Sequence, residues 1–142
     1  MFNKIEEKTS DSIKLSATIP VDAKTIYSAW LDSEKHSAFT KSKAKIERKV
    51  DSEFTAGDGY ISGTNKLLHM NKRIVQTWRC TDFEEEAEDS LLEVSFEKVE
   101  KGTKVIVQHS NLPKGTGQTY RKNWRDTYFK PMKEYFAPKT DD

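Results

Sequence analysis

The stretch 117-GQTYRKNWRDTYFKPMKEYF-136 decides how the rest of this chain must fold. Projected at 100° per residue, Tyr120, Trp124, Thr127, Tyr128, Pro131 and Tyr135 share one stripe, with Met132 at its edge. Lys122, Asn123, Asp126, Lys130, Lys133 and Glu134 fall opposite, while Phe129 and Phe136 lie off the stripe, so apolar neighbours are expected on more than one side. A helix of this length is a rod of ~30 Å, about the width of a small domain. A rod that long and that aromatic needs a broad surface to lie against. Pro131 removes a backbone donor and crowds the Thr127 carbonyl, which predicts a kink there rather than a stop. The stop is expected at Ala137-Pro138, ahead of a polar tail, Lys139 to Asp142.

The earlier chain supplies the surface as strands. Ile13, Leu15, Ala17 and Ile19 alternate with Lys14, Ser16 and Thr18, the period of a half-buried strand that Pro20 ends. Asp22 is placed to cap a short helix carrying Ile26, Tyr27, Trp30 and Leu31, and a second is predicted from Ser33, as its cap, to Phe39. Ala44, Ile46, Arg48 and Val50 share a face of a further strand segment, and Phe54 follows in a short one. Gly57-Asp58-Gly59 is a turn, then Tyr60 to Met70 reads as a long strand with a bulge or bend at Gly63. Arg73–Cys80 alternates again, and Leu91–Val99 with Thr103–Asn111 reads as a hairpin closed at Glu100-Lys101-Gly102. Strands in succession with helices set apart predict an α+β domain. The expected packing is a curved antiparallel sheet of about six strands wrapped around the last helix, with two short helices after the first strand.

Composition is consistent with one domain over residues 1–142, its ordered core at about 12–137. Leu, Ile, Val and Phe make up only 29 of 142 residues, but 15 aromatic side chains supply large buried areas and net charge is only +1. That charge argues against a nucleic-acid binder. A single cysteine, Cys80, permits no intrachain disulfide or thiolate cluster and reads as a quiet thiol. The N-terminus has no apolar leader and no run is long enough to span a membrane, so a cytoplasmic monomer is expected.

The stretches SAFTKSKAKIERKV, FTAGDGYISGTN, NKRIVQTWR and WRDTYFKPMKEYF, in order over about residues 12 to 136, resemble the C-terminal-type domain of the activator of the 90-kDa heat-shock chaperone's ATPase. That domain belongs to the START-like, birch-pollen-allergen-like superfamily of helix-grip folds. The resemblance implies a sheet gripping the last helix, a cochaperone-like role in the stress response and the 90-kDa chaperone as partner. In the two-domain activators a separate N-terminal domain makes much of the chaperone contact. This chain begins almost at the first strand, so the resemblance carries the fold further than it carries activation.

A helix-grip space can hold an apolar ligand, here between walls drawn from Trp30, Phe39, Phe54, Tyr60, Trp78, Phe96, His109, Trp124, Tyr128 and Met132. Close packing favours a filled aromatic core instead. His36 is expected at the surface of its short helix, while His69 or His109 has the parity to face inward. None stands in a metal-ligand spacing, and Gly57–Gly63 lacks the Lys-Ser/Thr ending and following helix of a phosphate cradle, so no metal or cofactor is expected.

Charge is unevenly placed. Lys41, Lys43, Lys45, Arg48 and Lys49 oppose one Glu47, while Asp82 to Asp89 carries six carboxylates and belongs in a solvated loop. Such surfaces orient charged partners, and the basic segment with Arg121 and Arg125 is the candidate partner-binding surface. The leading expectation is a non-catalytic binding protein of the chaperone-activator type. A carrier or sensor of a lipophilic small molecule is second, and an enzyme, with His109 as a possible general base, is last.

Overall fold

Alternation in the first apolar run forms β1, Ser10–Ile19, with Ile13 and Ile19 buried. The computed structural model describes residues 10–138. The polar N-terminus before Ser10 and the tail expected after Pro138 lie outside them. Asp22 caps α1, Ala23–Trp30, accepting from the Thr25 N–H at 2.9 Å. The cap of α2, Ser33–Thr40, is Asp32, not Ser33: its carboxylate accepts from the Lys35 N–H at 2.9 Å. A carboxylate one residue earlier out-competes the serine, whose hydroxyl is used elsewhere.

Five further strands follow: β2 Glu53–Ala56, β3 Ile61–His69, β4 Arg73–Cys80, β5 Ser90–Val99 and β6 Gly102–Pro113. They form one six-stranded antiparallel sheet in the order β1-β6-β5-β4-β3-β2, so β1 and β2 are its edges. The stretch expected as a strand from Lys43 to Val50 is irregular. Only Lys45 bridges to Thr55, and although Ala44 and Ile46 are buried, Arg48 and Val50 are exposed. The β3 irregularity lies between Asn65 and Leu67 rather than at Gly63. Gly63 serves close approach instead: a Cβ there would sit 1.9 Å from the Thr77 carbonyl oxygen and 2.8 Å from the Phe54 ring.

The C-terminal helix, α3, is α-helical over Gly117–Asn123, π-helical over Trp124–Phe129 and α-helical again over Lys130–Tyr135. It is tied to β1 at its start, where Asp11 Oδ2 accepts the Gly117 N–H at 2.8 Å, a bond that holds the Asp11 carboxyl below its ordinary range. Tyr120, Trp124, Tyr128, Met132 and Phe136 are all buried, and so is Phe129. Thr127 and Tyr135, expected on the inner stripe, are exposed, Tyr135 by 46%. A four-residue spacing overshoots an α-helical turn by about 40°. Wider π turns absorb that overshoot and keep every fourth side chain on the sheet side. Pro131, with no N–H, lies just after them, and the Lys130 N–H reaches five residues back to the Arg125 carbonyl. The disturbance expected at Pro131 is thus a change of pitch upstream of it. Between helix and sheet, Ile74, Leu92, Val94, Val105 and Val107 meet Trp30, Phe39, Trp124 and Met132 in a single core.

Candidate functional site: a pinned basic segment and an aromatic cavity

The irregular segment after α2 pairs with β2 at Lys45 and is held by side chains on either side of that bridge. Ser33 and Ser37 stand one turn apart on α2, facing the chain that returns past it. Ser33 Oγ accepts from the Ile46 N–H at 2.8 Å and donates to the Ile46 carbonyl at 3.0 Å. Ser37 Oγ accepts from the Ala44 N–H at 2.8 Å. Asn65, fully buried in β3, donates from Nδ2 to the carbonyls of Glu47 (2.9 Å) and Lys49 (3.2 Å), and its Oδ1 accepts from Gln76 Nε2 at 2.8 Å. The Asp58 N–H bonds the Lys43 carbonyl at 2.9 Å. Backbone groups are therefore paired along the segment, while Ala44 and Ile46 point inward and Lys43, Lys45 and Lys49 stay exposed. Lys41 lies 3.8 Å from Glu134 on α3, and the Arg48 guanidinium sits 4.9 Å over the Tyr27 ring. This is a rigid backbone presenting a row of cations.

Arg121 and Arg125 are not part of that row. They lie along the flank of α3 that faces β1, with Leu15, Ala17 and Phe129. The opposite flank, at Asn123 and Thr127, faces Ser42, Gly57 and Tyr60.

There the sheet and helix flank a cavity of about 410 Å³ that opens to solvent, walled by Tyr60, Ile61, Trp78, Tyr120, Trp124 and Tyr128. Four of the ten residues predicted to line such a space do so: Tyr60, Trp78, Trp124 and Tyr128. Trp30, Phe39 and Met132 are packed solidly beside it, with Trp30 stacked on Trp124 at 6.1 Å. Phe96 meets Tyr27 edge-on at 5.9 Å, and Phe54 packs at Gly63 beside a different cleft. The interior is thus filled on the α1/α2 side and open toward β3.

Two histidines sit behind these aromatic walls. His36, expected at the surface, is buried, because α2 turns it toward α3. Its Nδ1 faces the Trp30 carbonyl at 2.8 Å and so carries the proton, which leaves Nε2 to accept from the Tyr128 hydroxyl at 2.9 Å. Burial lowers its pKa to about 4. His109 Nδ1 accepts from Trp124 Nε1–H at 3.0 Å, its Nε2–H donates to Ser90 Oγ at 2.8 Å, and Ser90 in turn donates to the Trp78 carbonyl at 2.6 Å. Burial lowers it to about 3. Both rings are fully partnered and neutral. His69 is exposed. Cys80 Sγ lies 3.1 Å from the Tyr120 hydroxyl, and the Tyr60 hydroxyl donates to Asp82 at 2.5 Å. Burial raises both tyrosines above their ordinary range.

Compared with known families, residues 20–137 match the model of the Activator of Hsp90 ATPase homolog 1-like proteins. The chain belongs to this family. Among curated relatives of this Hsp90-activator-like domain, the Activator of 90 kDa heat shock protein ATPase homolog of Dictyostelium discoideum is 26% identical over 140 residues, covering 96% of this chain and 36% of that protein. The human Activator of 90 kDa heat shock protein ATPase homolog 1 is 25% identical over 125 residues, covering 88% of this chain and 37% of that protein. The chain thus spans little over a third of the length of these relatives. Among solved structures, an HSP90 activator from Plasmodium falciparum superposes with a TM-score of 0.72 at 24% identity, covering 83% of this chain and 89% of that one. The shared architecture is the START-like helix grip. No helix of the described residues is long and apolar enough to cross a membrane.

In this Hsp90-activator-like domain, sequence reasoning read Ser33 only as a helix cap and gave Ser37, Asn65 and Gln76 no role in holding the basic segment. Two serines four apart on one short helix, facing an Ala-x-Ile pair, were the available signal. For Asn65 the signal was an amide with inward strand parity opposite another, Gln76.

Proposed function

We propose that this chain is a cochaperone-like binding module that meets the 90-kDa heat-shock chaperone in the cytoplasm through Lys41–Lys49, by protein contact without catalysis. The observation carrying this reading is the pinned segment, which lies within the family match. Cations on a pre-ordered backbone lose little further entropy on binding and steer an acidic surface into register. Titration of the isotope-labelled chain with the chaperone should broaden amide signals selectively over 41–49, and ATPase stimulation should follow. Lys43→Glu with Lys45→Glu, both exposed, should weaken the contact about tenfold while leaving the melting transition in place. An unchanged spectrum at excess chaperone would remove the reading.

The cavity of about 410 Å³ favours a second reading, a carrier or sensor of a lipophilic small molecule, because its walls are aromatic and its rim is polar at Thr40, Ser42 and Asn123. Trp78 and Trp124 report directly on its contents. Saturable quenching of tryptophan emission by small apolar ligands, lost when Thr127→Phe fills the mouth, is the discriminating result. Quenching that persists in that variant would place the ligands elsewhere.

A further inference from the structure

The flank of α3 away from the cavity is a separate surface. Here a groove of about 300 Å³ runs between the helix and β1, floored by Leu15, Ala17 and Phe129 and lined by Arg121, Arg125, Lys130 and Lys133. No carboxylate of the described residues lines it, and none of their ion pairs uses these four cations. Beside it lies an open sheet edge. Among the described residues β1 pairs only with β6, and Arg121 Nη1 donates to the Lys14 carbonyl at 3.1 Å from the side that β6 leaves unpaired. In an antiparallel ladder, alternate residues turn both backbone groups the same way. The N–H and C=O of Ser16 and Thr18 therefore face outward with the Lys14 carbonyl, and both residues are exposed. The edge and the cationic flank are contiguous, since Ser16 belongs to the groove wall.

From this juxtaposition we propose that the groove takes an extended acidic segment of a partner protein, which adds to the sheet as a strand beside β1. Backbone pairing at Ser16 and Thr18 would supply register, alternate side chains would reach the apolar floor, and carboxylates would meet Arg125, Lys130 and Lys133. Charge complementarity selects the occupant, because an uncharged strand would leave four neighbouring cations uncompensated. The surface lies on the opposite flank of α3 from the cavity, and the proposal stands whether or not Lys41–Lys49 meets the chaperone.

The test is titration of the labelled full chain with a short blocked peptide alternating Glu and Val. The expected result is shifted and exchange-protected Ser16 and Thr18 amides, with about tenfold weaker binding for Arg125→Glu with Lys130→Glu, two exposed positions whose variant should melt like the parent. The same peptide N-methylated at alternate residues, which removes strand pairing and keeps the charge, should not bind. Equal binding of the methylated peptide, or no shift at Ser16 and Thr18, overturns the proposal. Sedimentation with phosphatidylserine vesicles while the peptide leaves those amides unmoved would assign the cations to a membrane surface, and so overturn it. Concentration-dependent protection of Ser16 and Thr18 without peptide would assign the edge to a second copy, with the same consequence.

Discussion

The two charge-dense segments, 41–49 and 82–89, are both irregular, and the protein holds them in different ways. The basic one is fixed from beneath by neutral groups: Ser33, Ser37 and the buried Asn65–Gln76 pair bond its backbone and leave its cations outward. The acidic one hangs from a charge. Arg79 donates to the carbonyls of Ala87 and Glu84, each at 3.1 Å, and pairs with Asp89 at 2.6 Å, while only Phe83 is buried within the loop. Neutral, buried anchors are insensitive to salt and resist local opening, whereas a half-exposed ion pair is screened. A surface meant to present cations in fixed positions is better served by the first arrangement.

Acid should test both segments together and produce the largest effect. His36 lies on α2, the helix that carries the serine anchors, and His109 bonds Ser90 where the acidic segment ends. In the fold both are held neutral to about pH 4 and about pH 3, whereas the unfolded chain takes up these protons near pH 6.5. Their contribution is therefore complete above about pH 6.5 and falls as pH drops toward 4, by up to about 1.4 kcal/mol per pH unit for each ring. Urea midpoints between about pH 7 and pH 5, above the range where carboxylates titrate, should fall accordingly, and His109→Gln should remove about half of the slope. The Trp124 indole N–H can only donate, so a proton on His109 Nδ1 would set donor against donor. A flat profile would mean that the folded protein takes up these protons without cost, against the geometry of both rings.

Asn65→Ala sharpens the comparison from the basic side. It takes one of two bonds from each of the Glu47 and Lys49 carbonyls, which keep those from the Lys49 and Ser52 N–H groups, and leaves the buried Gln76 amide without its acceptor, and should cost about 1–3 kcal/mol in urea unfolding. Amide exchange should rise at 47–52 and stay unchanged at 84–89. Loss of stability without local exchange at 47–52 would show that Asn65 supports the sheet rather than the segment.

Much of this architecture is legible in the amino-acid sequence, and the exceptions share a cause. β1, β4 and the β5–β6 hairpin follow from alternation that is local in the chain. Alternation also marks Ala44 and Ile46 as buried, but it says nothing about which groups bond the backbone on either side of the Lys45–Thr55 bridge, and here those groups are side chains of α2 and β3. The inner face of α3 is misread at Thr127 and Tyr135 because a 100° projection assumes α-helical pitch throughout, while Tyr120, Trp124, Tyr128, Met132 and Phe136 keep a spacing of four. His36 looks solvated between Lys35 and Ser37, and only the docking of α2 on Tyr128 buries it. Of the cavity, the walls at Trp78, Trp124 and Tyr128 are recognisable as aromatic residues facing inward. Which part of the interior stays open depends on how α1 and α2 fill the remainder, and that is a property of the assembled fold.

Arg79→Ala addresses the acidic side and should have the smallest effect on stability, under about 1 kcal/mol, since the Arg79–Asp89 pair is partly exposed and its desolvation is slight. Its local effect should nevertheless be clear. Phe83 packs against Trp78 at 5.9 Å and Tyr120 at 6.0 Å, which keeps the start of the loop docked without the arginine. Loss of the guanidinium frees the Ala87 carbonyl and leaves that of Glu84 with only its bond from the Ala87 N–H, so amide exchange should quicken from 84 to 89 and spare Phe83. The basic segment shares no hydrogen bond with Arg79 and should exchange as before. High salt should reproduce part of this loosening in the parent chain, as screening weakens the ion pair, and should leave 44–49 untouched. If Arg79→Ala instead lowered the unfolding free energy by several kcal/mol, or quickened exchange at 44–49, the two segments would be one cooperative unit. The basic row would then owe its order to the acidic loop as well as to Ser33, Ser37 and Asn65.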